Sequence, residues 1–189
     1  MIVLRLFAGF CAAGAATVLI TGCGSGPAGR GPASSAISAG QLRGYVAAVE
    51  AVRLPVNRLL DEADPILDAY HDHRITPAVA AQRMGAMEQE FAALAVEMDT
   101  ITPANPALAR INAPYAHTYV LEDSYLATLA SDLGDGTFAN LPNTQDQQRL
   151  AIIEWRTALQ VAALRAGYEL PADLQQAGRG EIAPGLNGS

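Results

Sequence analysis

The chain contains no lysine. All twelve of its basic residues are arginine, and against nineteen carboxylates they leave a net charge of −7. That deficit excludes the electrostatic attraction on which nucleic-acid binding rests, because there is no basic surplus to neutralise phosphates. It also argues against adsorption of the body onto an anionic lipid surface. Cysteine is almost as scarce. Cys11 and Cys23 are the two, so everything after residue 23 lacks a thiol and must hold its fold by packing rather than by disulfides. No apolar run reaches the roughly 20 residues needed to cross a bilayer as a helix. Strand-like alternation, a Gly-x-Ser-x-Gly elbow in a folded segment, a phosphate-cradling glycine loop after a strand and a Glu-x-x-His motif are all missing as well. These absences weigh against an enzyme, and neither a cofactor nor a resident metal is expected.

What is present begins with a three-part amino terminus. Arg5 is its only positive charge, an apolar run of about 15 residues follows from Leu6 to Ile20, and Thr21-Gly22-Cys23 closes it. The stretch Leu19-Ile20-Thr21-Gly22-Cys23 resembles the lipobox of bacterial lipoproteins: an aliphatic residue, small residues, then the cysteine that is modified. The resemblance implies that residues 1–22 are a signal peptide and that signal peptidase II cleaves between Gly22 and Cys23. It further implies a diacylglyceryl group on the Cys23 thiol, often with an added N-acyl chain such as palmitate. Two or more acyl chains give lasting anchorage, since each buried methylene adds about 0.8 kcal/mol and one chain alone is marginal. The expected address is the extracytoplasmic face of a cell membrane, with the lipid as the link to it. Here the n-region is thin, with one arginine where two or three basic residues are commoner.

Residues 23–40 then read as the lipidated cysteine and a Gly-, Pro- and Ser-rich tether. About 17 residues of such coil reach roughly 20–25 Å, which holds a domain clear of the headgroups. At the far end, residues 171–189 read as a flexible tail.

Between these ends, residues 41–170 carry a helical apolar period. Leu42, Tyr45, Val49, Val52, Val56, Leu59, Ala63, Ile66 and Tyr70 recur at steps of three and four. Pro55 and Pro65 interrupt them, with Asp64 a candidate N-cap before Pro65. Thr76-Pro77 is a cap followed by proline at the first helical position. Ala80, Met84, Met87, Phe91, Leu94 and Met98 form the stripe after it, ending near Asp99. Asn105-Pro106 opens a third segment, with Pro114 as a kink and Gly134 as a stop. Thr144 to Gln147 fits a capping box, and Ile152, Trp155, Leu159, Ala162 and Ala166 follow up to Gly167. The fold class predicted is all-α, an antiparallel up-down four-helix bundle with proline-kinked first and third helices.

Candidate ligand-binding residues are few. Asp68, His71 and Asp72 would share a helix face, the only dense group of metal-capable side chains, but a metal centre needs three or four ligands converging from fixed positions. A solvated helix end, where histidine suits the dipole, is the plainer reading of the three. Glu122 falls on the apolar side of its segment, where a carboxylate either meets an arginine such as Arg156 or titrates high. The tyrosines and Met84, Met87 and Met98 read as core material. The expected role is noncatalytic: a membrane-anchored envelope lipoprotein presenting a helical face to a protein partner. The alternative is a small-molecule or metal binder with a pocket between kinked helices.

Overall fold

The capping chemistry written into the sequence marks where most of the helices begin. In the computed structural model, which describes residues 36–175, Ser38 closes a reciprocal box. Its Oγ accepts from the Gln41 backbone N–H at 3.2 Å, and Gln41 Oε1 accepts from the Ser38 N–H at 3.0 Å. This starts α1, Ala39–Leu60. Helix α2 spans Ala63–His71, α3 Pro77–Asp99, α4 Pro106–Asp135, α5 Gln145–Ala166 and α6 Ala172–Gln175. Among the described residues 79% are helical and none is in a strand.

Two starts and two stops follow the sequence closely. Thr76 Oγ1 accepts from Val79 N–H ahead of Pro77, and Asn105 Oδ1 accepts from Ala107 N–H and Leu108 N–H ahead of Pro106. Both prolines sit where a missing donor costs nothing. Helix α3 ends at Asp99, as its spacing predicts, and Gly167 ends α5 in the left-handed conformation (φ 63°).

Elsewhere the chain departs from expectation. The first segment breaks at Asp61-Glu62 into α1 and α2, while α1 continues through Pro55. Pro65 lies in the first turn of α2, where its absent N–H is one of the donors with no intrahelical acceptor. Asp64 is therefore inside the helix, and Glu62 occupies the cap without a side-chain bond. Helix α4, which holds Pro114 inside it, runs past Gly134, the expected stop, to end at Gly136 (φ 69°). The capping box expected at Thr144 does not form. Gln148 instead donates from Nε2 to Thr144 Oγ1, which draws Gln148 into the core. The expected tail from residue 171 opens with a turn of helix, α6, whose Leu174 is 1% exposed; the expectations for residues 176–189 lie outside the described residues.

Helix α3 packs against α1, α2 and α4, α5 packs against α1 and α4, and α6 lies on α5. One continuous core runs between them, built from Leu42, Val49, Met84, Met98, Leu126, Leu129, Leu133 and Leu159, all fully buried. Each such side chain contributes about 1.5–3 kcal/mol relative to exposure. The all-helical expectation holds. Among the described residues no helix is long and apolar enough to cross a membrane.

Candidate functional site

A connected set of polar and aromatic side chains crosses this core. Tyr45 on α1 donates its hydroxyl to Asn112 Oδ1 at 2.9 Å and accepts the Trp155 indole N–H at 2.8 Å. Asn112 in turn donates to the Ile101 carbonyl at 2.9 Å, fastening α4 to the α3–α4 link. Tyr115 stacks on Trp155 with ring centroids 3.8 Å apart and shares a 3.2 Å hydroxyl contact with Tyr119, which stacks on Phe91. Burial pushes the Tyr45 hydroxyl far above the usual phenol range, and its bond from Trp155 offsets only part of that. It is a neutral donor and acceptor at any physiological pH.

Glu122 lies at the end of this set, 2% exposed. With Val56, Phe91, Thr118, Tyr119 and Ile152 it lines a cavity of about 10 Å³, the scale of a single water. Its charge is felt nearby. Burial raises the Tyr125 hydroxyl, and the Glu122 carboxylate raises it further. Arg156 is also buried and donates from Nη1 to the Asp173 carbonyl at 3.1 Å. Arg53, likewise buried, joins Glu50 at 2.7 Å and pairs with the Asp173 carboxylate, so two core arginines hold α6 in place.

The predicted acidic and histidine group does not converge. Asp68, His71 and Asp72 are all exposed at the end of α2. His71 rests edge-on against Tyr70, and Asp72 accepts from Arg74 at 3.0 Å. Among the described residues no group of three or more His, Cys, Asp or Glu is placed to hold a metal. Gly22 and Cys23 lie outside the described residues.

Open space gathers at one end of the body, on both sides of the link 100–105. One groove of about 520 Å³ is walled by Gly40, Gly44, Tyr45, Ala48, Ile101 and Leu108. A methyl group built on Gly40 or Gly44 would meet nothing within 4 Å, so both glycines face free volume. The other, about 410 Å³, runs along Pro103, Ala109, Ala113, Ala116, His117 and Val120. Asn105 closes the corner between them by donating to the Ala36 carbonyl and to Gln41 Oε1.

No protein-family model, curated protein or solved structure matches this chain.

Three of these polar positions are not singled out by the sequence. Asn112 stands between Leu108 and Tyr115 on the apolar stripe of α4, and Arg53 between Val49 and Val56 on that of α1. A polar residue in register with core neighbours is the signal that marks both. Asp173 carried no signal, because its value depends on Arg53 from a helix 120 positions away.

Proposed function

We propose that this chain is a membrane-anchored, extracytoplasmic lipoprotein whose helical body binds rather than catalyses, presenting one end of the bundle to a protein partner. Cys23 would carry the acyl chains, and the stretch expected as tether would supply the spacing up to Ala36, which Asn105 ties to the body. The reading of the body as an up-down bundle of α1, α3, α4 and α5 is supported by three pairings. Tyr45 near the start of α1 meets Asn112 early in α4, Arg43 lies over the Tyr168 ring just past the end of α5, and Val56 shares a cavity lining with Ile152. Bends in α1 and α4 belong to the same proposal, since Pro55 and Pro114 each leave a carbonyl one turn back without its donor.

The observation that carries the functional reading is the position of the two grooves. They flank the link 100–105, beside Ala36, where the chain arriving from Cys23 joins the body. A partner at the membrane surface would meet that end first, at an effective concentration raised by the tether. The noncatalytic part is supported by the core polar groups, since Tyr45, Asn112 and Trp155 are committed to one another.

Two experiments test this. Cys23→Ser should release the protein from the membrane fraction after a carbonate wash while its circular dichroism stays unchanged; retention would contradict the anchor. A photo-crosslinking residue at Thr102 should capture a discrete partner in the native envelope, and capture of nothing there would contradict the partner. A second reading is favoured by the size of the larger groove, which is within the range of small-molecule sites. Under it, a small apolar ligand raises the unfolding midpoint of the native chain and does so less in Gly44→Leu, whose side chain intrudes on the groove.

A further inference from the structure

Helix α5 has a second apolar face that the core does not use. Its inner side carries Ile152, Trp155, Leu159, Ala162 and Ala163 into the body. Its outer side carries Leu150 (57% exposed), Ile153 (53%), Val161 (42%) and Leu164 (84%). Seven large hydrophobic residues are exposed among the described residues, and four of them are these. With exposed Thr157 they are spaced by three, four, four and three residues. At 3.6 residues per turn that confines all five to an arc of about 80° and a seam about 21 Å long.

The spacing reads the same in both directions. Laid antiparallel on a second α5 about a twofold axis at Thr157, Leu150 of one copy meets Leu164 of the other, Ile153 meets Val161, and Thr157 meets itself. An isologous interface requires this kind of self-complementarity. Charge agrees with it. The chain as a whole is acidic, and its surplus opposes self-association. The exposed charges of α5 nevertheless balance, Asp146 and Glu154 against Arg149 and Arg165. In the antiparallel pair Arg165 of one copy is level with Arg149 of the other, with Asp146 and Glu154 about 4.5 and 7.5 Å along the axis on either side of it, so two carboxylates bracket the arginines. A parallel pair would also set Glu154 beside Glu154 and Asp146 beside Asp146, whereas the antiparallel pair sets no carboxylate level with another.

We propose that the outer face of α5 is a dimerisation seam, and that its occupant is the same face of a second copy in antiparallel register. The area is small, so the dimer is a reversible one that tethering on a common membrane would favour. This does not depend on the anchor. It concerns the body alone and holds or fails whether or not Cys23 is acylated.

The test uses the full chain in mild detergent, with mass measured by light scattering over a concentration series. The native chain should pass from monomer to dimer as concentration rises. Ile153→Glu should weaken that transition at least about tenfold, because it places a carboxylate in an apolar seam. Val96→Glu, at an exposed position on α3, should leave it in place. Register is read by oxidative cross-linking. With Cys11 and Cys23 both replaced by serine, a mixture of Leu150→Cys and Leu164→Cys chains should give a cross-link that neither variant alone gives. A monomer at every concentration, a dimer indifferent to Ile153→Glu, or a cross-link from Leu150→Cys alone would each overturn the proposal.

Discussion

Trp155 donates its indole N–H to the hydroxyl oxygen of Tyr45 at 2.8 Å, joining α5 to α1 across 110 residues of sequence. The same hydroxyl donates onward to Asn112, so one oxygen links α1, α4 and α5. Tyr45→Phe keeps the ring and removes the oxygen, leaving a buried indole N–H and a buried amide oxygen each short of a partner. A cost of about 1–3 kcal/mol is expected, read as a lower midpoint in urea. Trp155 is the only tryptophan in the chain, so its fluorescence reports unfolding and loss of the bond at one site. An unchanged midpoint would mean that the bond does not help hold the three helices.

Two glycines at the end of α4 should respond oppositely to alanine. Gly136 holds φ at 69°, so Gly136→Ala forces a side chain into the left-handed region at about 1–2 kcal/mol. Gly134 is inside the helix, and an added Cβ would meet Ala81 Cβ at 3.5 Å, an ordinary contact. Gly134→Ala should therefore be neutral or stabilise by up to about 1 kcal/mol. Thermal unfolding of the two variants separates them.

The turn of helix at Ala172–Gln175 is part of the body. Leu174 is buried, and the Asp173 carboxylate meets the core cation Arg53. Asp173→Ala should destabilise the fold, because it strips that carboxylate from a buried charge. Leu174→Ala should cost about 2 kcal/mol, at the low end for a core leucine since a single turn can relax. Denaturant midpoints check both, and wild-type stability in a chain ending at Leu170 would contradict the assignment.

Glu88 and Asp123 have carboxyls held above their ordinary range. Burial is the main cause for each, and the Asp123 charge adds to it at Glu88. A carboxyl whose folded value is raised favours the protonated native state. Its stabilisation is complete below about pH 4 and is lost as pH rises through the raised value. Asp123→Asn should therefore stabilise the protein at neutral pH. The gain should be under about 1 kcal/mol, because both groups are only partly buried and stay screened, and it should vanish near pH 4. A gain that grows on acidification would reverse the sign of this account.

How much of this was legible in the sequence depends on range. Thr76-Pro77, Asn105-Pro106 and Gly167 act within a few residues, so the ends they mark could be read directly. Pro55, Pro65 and Pro114 left the choice between a kink, a break and a helix start open, because a proline reports a missing donor without saying where in the helix that donor is dispensable. Pro65 occupies a first turn, and α1 and α4 are carried past Pro55 and Pro114 by burial on both sides. The Thr144 box does not form because Thr144 takes a helical rather than an extended backbone conformation, and its Oγ1 meets Gln148 instead. Asp68 and His71 lie on α2 and Asp72 is its C-cap, all three exposed; spacing alone does not tell where a helix ends or whether a neighbouring element covers a face. Tyr45, Asn112 and Trp155 were visible only as separate core residues, because their meeting is a property of three packed helices.

The anchor is tested most directly by intact-mass and peptide mass spectrometry of the protein from its natural membrane. The account predicts an amino-terminal peptide that begins at Cys23 and carries the added mass of acyl chains on that residue. A peptide that begins elsewhere, or begins at Cys23 with no added mass, would contradict it.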